Sequence, residues 1–107
     1  MSRLEQLQSF LKEQPKDEFL RYAIAQEHFK LGDLDKTMEI YTKLINDSPN
    51  YSATYYHLGK LHEKNNQNEA AIEIYKKGIS ITEKNKELHA LSELKSALME
   101  LELDDLI

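Results

Sequence analysis

Apolar residues along this chain recur at three- and four-residue intervals, the spacing that places them on one side of an α-helix. Leu4, Leu7, Phe10 and Leu11 form the first stripe, and Ser2-Arg3-Leu4-Glu5 ahead of it is arranged as a capping box. The stripe predicts a helix that runs to about Glu13 and is ended by Pro15. Asp17 is the expected N-cap of a second helix, with Leu20, Ile24 and His28 on one face. Leu31-Gly32-Asp33 then gives a C-cap glycine followed by the next N-cap. A third helix carries Met38, Ile40, Tyr41, Leu44 and Ile45 until Asn46-Asp47-Ser48-Pro49-Asn50 breaks it. A fourth is expected from about Tyr51 to Lys64, with Asn65-Asn66-Gln67-Asn68 as its turn. Ala70, Ala71, Ile74, Tyr75 and Ile79 mark a fifth, and Leu88, Leu91, Leu94, Leu98 and Leu101 a last one. No segment alternates with a period of two over a useful length. The fold class is therefore all-α, about six helices joined by short turns that favour antiparallel neighbours.

Within this pattern, Tyr55 to Tyr75 combines small and aromatic residues: Tyr55-x-x-Leu58-Gly59-x-x-His62, then Ala71-x-x-x-Tyr75. A glycine inside a helix costs roughly 1 kcal/mol against alanine, so Gly59 marks a place where a neighbour approaches closely. Sliding the chain on itself by 34 residues lays Pro15 on Pro49, Tyr22 on Tyr56, His28 on His62 and Lys30 on Lys64. The same shift lays Glu39 on Glu73, Ile40 on Ile74, Tyr41 on Tyr75 and Ile45 on Ile79. The chain is an internal repeat of helix pairs.

Period and residues together resemble the tetratricopeptide repeat (TPR), whose signature is W-x2-L-G-x2-Y, then A-x3-F, then P. The second copy matches as Tyr55, Leu58, Gly59, His62, Ala71 and Tyr75; the first, more loosely, as Arg21, Ile24, Ala25, His28, Thr37, Tyr41 and Pro49. Both Trp places are replaced, both Tyr places hold His, and Glu83 stands where the second copy would have its Pro. The expected organisation is a single TPR-like domain over 1–107. It comprises an N-terminal half-repeat helix (1–14), two repeats (17–49 and 51–84) and a capping helix (86–103) with a polar outer face. In strict 34-residue register the last helix would bury His89, Ser92, Glu93 and Ser96, so its leucine stripe fits only if it is displaced by about two residues.

The resemblance implies a non-enzymatic module in which the first helix of each repeat lines a concave groove that receives a peptide or a partner helix. The groove-facing places are Phe19, Tyr22, Gln26, Phe29 and Lys30 in the first repeat and Ala53, Tyr56, His57, Lys60 and Lys64 in the second. Aromatic anchors framed by polar groups suit a binding surface. Two alternatives stay open: a terminal helix folded over these rings, and a homo-oligomer that uses the same patch. The basic clamp by which some relatives hold a C-terminal carboxylate is not reproduced, since its places hold Tyr22, Gln26, His57, Glu87 and Leu91.

Composition narrows the chemistry. At 107 residues, with 40% hydrophobic and 31% charged residues, the chain has the make-up of one soluble domain. The absence of Cys removes disulfides and thiolate chemistry. A net charge of −5, with 14 basic against 19 acidic residues, disfavours nucleic acid as a partner. No apolar run approaches a membrane span and the first residues lack a signal-peptide core, so a cytoplasmic location is expected. Four His residues raise the question of a metal. His57 and His62 are five apart and diverge on one helix, and no H-E-x-x-H is present. There is no phosphate-binding glycine loop, nucleophile elbow or carboxylate pair. No cofactor, metal or catalytic residue is expected.

Overall fold

The computed structural model describes residues 1–106. It contains six helices in this order: α1 (Arg3–Glu13), α2 (Glu18–Lys30), α3 (Leu34–Asp47), α4 (Ala53–Lys64), α5 (Asn68–Asn85) and α6 (Leu88–Asp105). No strand occurs among the described residues. The backbone divides into two compact units, Met1–Tyr51 and Ser52–Ile107.

The first unit packs α1 on α2 and α2 on α3. Its ends form as the sequence predicts: Ser2 and Glu5 complete a capping box on α1, and Asp17 accepts from the Leu20 N–H at 2.9 Å. Gly32, at φ +84, turns the chain into Asp33, which caps α3 through the Lys36 N–H at 3.1 Å. Leu7, Ala23 and Ile24 are buried together, with Leu4, Leu11, Leu20 and Ile40 around them. Thr37 is fully buried and donates its hydroxyl to the Asp33 carbonyl at 2.8 Å. Tyr41 is also buried, and desolvation pushes its hydroxyl well above the ordinary tyrosine value. Arg21 spans to α3, its Nη2 donating to Asp47 Oδ2 at 2.9 Å.

In the second unit α5 packs on α4 and α6, and α6 also meets α4. Gly59 and Gly78 set these contacts. A Cβ at Gly59 would overlap the ring of Tyr75, and one at Gly78 would lie 2.7 Å from Tyr55 Cβ and 3.0 Å from Leu94 Cδ1. Tyr75, wholly buried, donates its hydroxyl to Glu63 Oε2, and Thr82 donates to the Gly78 carbonyl at 2.8 Å. Burial first, and the Glu63 carboxylate second, push the Tyr75 hydroxyl far above its usual range.

Two details differ from the sequence expectation. α4 begins at Ala53, because Tyr51 belongs to a turn in which its N–H donates to the Ser48 carbonyl at 3.1 Å. The Ser52 hydroxyl does not cap α4 and donates instead to Glu87 Oε2 at 2.7 Å. The fifth helix agrees with the expected boundary at 84: with Glu83 in place of a Pro, α5 continues to Asn85, and Lys86 stops it in the left-handed conformation (φ 59), so α6 starts at Leu88. The second difference concerns the outer side of α6, which is not uniformly polar: Leu88, Met99 and Leu103 are exposed.

The glycine contacts give a direct test. Gly59→Leu forces the buried Tyr75 ring to move and lowers stability by about 1–3 kcal/mol or more. Gly59→Ala also destabilises, although alanine is the better helix former. Urea denaturation reads both, and a midpoint equal to the parent's for Gly59→Leu contradicts this packing.

Candidate partner-binding site

On α2, the spacing of Phe19, Tyr22, Gln26, Phe29 and Lys30 places all five along one side of the helix. The rings differ in how they sit. Phe19 is 59% and Phe29 46% exposed, whereas Tyr22 is half-buried, its ring centroid 6.0 Å from those of both Tyr41 and Tyr51. Gln26 Nε2 donates to the Tyr22 hydroxyl at 3.1 Å, and Lys30 Nζ lies 3.1 Å from Glu27 Oε2. The face is thus two open rings with a third seated between them and held by the core of its unit.

On α4, Ala53, Tyr56, His57, Lys60 and Lys64 are likewise aligned. Tyr56 and His57 meet edge-on at 5.6 Å. Lys60 Nζ is 5.6 Å from the centroid of Tyr56 and 3.7 Å from Glu63 Oε2. Across from them stands α6. Tyr56 and Lys60, with His89, Ser92, Glu93, Ser96, Ala97 and Glu100, line a cleft of about 220 Å³. His89 Nε2 is 3.1 Å from Glu93 Oε1.

The α6 side of this cleft is absent from the sequence reading, yet a signal for it exists. A shift of 36 residues lays Ala53 on His89, Tyr56 on Ser92, His57 on Glu93, Lys60 on Ser96 and Lys64 on Glu100. Leu58 falls on Leu94 under the same shift, and both are 1% exposed. Leu61 likewise falls on the buried Ala97, so the centre of α6 follows that of α4, displaced by two residues from the 34-residue period. The residues that strict register would have buried form its wall on the cleft.

His57 is held by desolvation below its ordinary value of 6.5, with the Glu93 carboxylate acting in the opposite direction. Unfolding returns the imidazole to water, so as pH falls the unfolded chain takes up this proton before the folded one. The stabilisation from neutral His57 is complete above about pH 6.5 and is lost as pH falls toward the lower folded value. The melting temperature is expected to drop between about pH 7.5 and 5.5. His57→Gln removes part of that drop, and identical profiles for variant and parent contradict the assignment.

Among the described residues, no group of three or more His, Asp or Glu is placed to hold a metal ion. No helix among them is long and apolar enough to cross a membrane.

Comparison with known proteins gives one family. A tetratricopeptide repeat sequence profile matches residues 28–98. The crystal structure of a tetratricopeptide repeat domain protein from Salinibacter ruber superimposes with a TM-score of 0.78 at 38% identity, covering 80% of this chain and 96% of that one. A solution structure of a tetratricopeptide repeat domain protein from the same organism gives 0.79 at 39% identity, with 82% and 89% covered. A protein from Bordetella parapertussis shares the fold, with a TM-score of 0.82 at 18% identity over 98% of this chain and 91% of its own. No functionally curated protein sequence is significantly similar. TPR domains are in general protein–protein interaction modules, and this chain belongs to the tetratricopeptide repeat family.

Proposed function

We propose that this chain is a non-enzymatic module that binds a segment of another protein, a peptide or a helix, through two surfaces. One is the α2 face of Phe19, Tyr22, Gln26, Phe29 and Lys30. The other is the α4–α6 cleft, lined on the α4 side by Tyr56 and Lys60, with His57 and Lys64 elsewhere along the same helix side. The observation that carries the proposal is the exposure of Phe19 and Phe29, large rings aligned on one helix side with amide and ammonium groups between them. Exposed apolar groups framed by polar ones mark interaction surfaces, and aromatic side chains supply much of the energy there. Tyr56, half-buried, adds an aromatic ring to the lining of a polar cleft.

The same exposed rings also support a second reading, in which a second copy of the chain covers them. Sedimentation at increasing concentration separates the two. A stable monomer favours a foreign segment, and a dimer that Phe19→Ala/Phe29→Ala dissociates favours self-association.

Tyr22 is an unsuitable first target, because its ring packs with Tyr41 and Tyr51. Phe19→Ala/Phe29→Ala and Tyr56→Ala are the informative variants. Each is expected to keep the parent's helical circular dichroism and to weaken peptide binding by about 2 kcal/mol or more, roughly thirtyfold. Binding at parental affinity by all three substitutions combined overturns the proposal.

A further inference from the structure

We infer that the α4–α6 cleft accepts a basic side chain, lysine or arginine, projected from a peptide partner. This rests on the reading of the cleft as a peptide-binding surface and adds the chemistry of what enters it.

The first argument is charge complementarity. Lys60 is the cation of the cleft, and Glu63 stands 3.7 Å from its ammonium. Glu93 and Glu100 extend from α6 on the opposite wall. His89, beside Glu93, carries charge only when protonated. With His89 neutral, the cleft and its Glu63 neighbour hold one positive and three negative groups. α6 strengthens the imbalance: up to Asp104 it carries Glu93, Glu100, Glu102 and Asp104 against a single basic residue, Lys95. An anionic guest, such as a peptide's terminal carboxylate, is repelled. A cationic one is drawn in.

The second argument is geometric. Glu93 and Glu100 stand on the α6 wall of the cleft that Tyr56 and Lys60 line from α4. The cleft already shows how its aromatic wall treats a cation, because the Lys60 ammonium sits over the Tyr56 ring at 5.6 Å. Ser92 and Ser96 add hydroxyl acceptors to the same wall. A volume of about 220 Å³ suits one long side chain and is too small for a helix. The guest's methylenes lie against Tyr56 while its charged end meets the carboxylates of α6.

A random dodecapeptide display library selected against the intact chain tests this. Enriched peptides should share one position held by Lys or Arg. Replacing that residue by norleucine, or applying Glu93→Gln/Glu100→Gln to the protein, should each raise the Kd roughly tenfold or more. The two changes together should cost less than the product of the separate effects. Both glutamates lie on the exposed side of α6, and an unchanged melting temperature verifies that the variant keeps its fold. Glu93→Lys/Glu100→Lys should invert selection toward acidic peptides. If enriched peptides depend on Tyr56 but bind Glu93→Gln/Glu100→Gln at parental affinity, the basic-side-chain inference fails while the binding-module reading survives. If enriched peptides are indifferent to Phe19, Phe29 and Tyr56, or none is enriched, both fail.

Discussion

The second unit depends on an interlock of two glycines and two tyrosines. Gly59 on α4 leaves room for the ring of Tyr75 on α5, and Gly78 on α5 leaves room for Tyr55 on α4. Each helix thus gives up a side chain where the other supplies its largest buried one. Ridge-into-groove packing allows this close approach only where the groove has no Cβ. Gly78 has a second neighbour, Leu94 of α6, so the position that seats Tyr55 also sets where α6 lies. The spacing between α4 and α6, and with it the width of the cleft beside Tyr56, follows from this packing.

The first unit meets the equivalent positions with different chemistry. Where the second repeat has Tyr55, the first has Arg21, whose guanidinium reaches Asp47 on the neighbouring helix. Where the second has Ala71, the first has Thr37, buried because its hydroxyl returns to the helix backbone. Tyr41 and Tyr75 are the shared feature, almost fully buried in both repeats. The two repeats therefore share volume at the tyrosine, while Arg21 and Thr37 show that polar groups are accommodated around it through hydrogen bonds.

Helix order, caps and the close contact at Gly59 were legible in the sequence because each rests on local chemistry or on a repeat that can be counted. Ser2, Asp17, Gly32 and Asp33 act over three or four residues, so their roles survive whatever surrounds them. α6 was harder to read. Its leucine stripe already called for a displacement of about two residues, which α5 supplies by running on past Glu83 to the left-handed turn at Lys86; what the stripe did not show is which residues that displacement sets opposite α4. Comparison at 34 residues makes His89, Ser92, Glu93 and Ser96 look like misplaced core residues, while comparison at 36 makes them a wall opposite Tyr56. The state of each aromatic on α2 was also beyond pattern alone. Periodicity aligns Phe19, Tyr22 and Phe29, but only the position of Tyr41 and Tyr51 draws Tyr22 inward and leaves the other two outside.

One chain of contacts links the cleft to the interior. Lys60 lies over Tyr56 and beside Glu63, and Glu63 accepts a hydrogen bond from the hydroxyl of the buried Tyr75. A guest that displaces the Lys60 ammonium changes the charge balance at Glu63, and so the strength of the hydrogen bond that Tyr75 donates. The chain contains no Trp, so its near-ultraviolet emission comes from tyrosine, a fluorophore quenched when its hydroxyl is bound to a carboxylate. On the proposed reading of the cleft, its occupancy would be coupled to an intrinsic optical signal, carried by a phenol that the guest itself never touches.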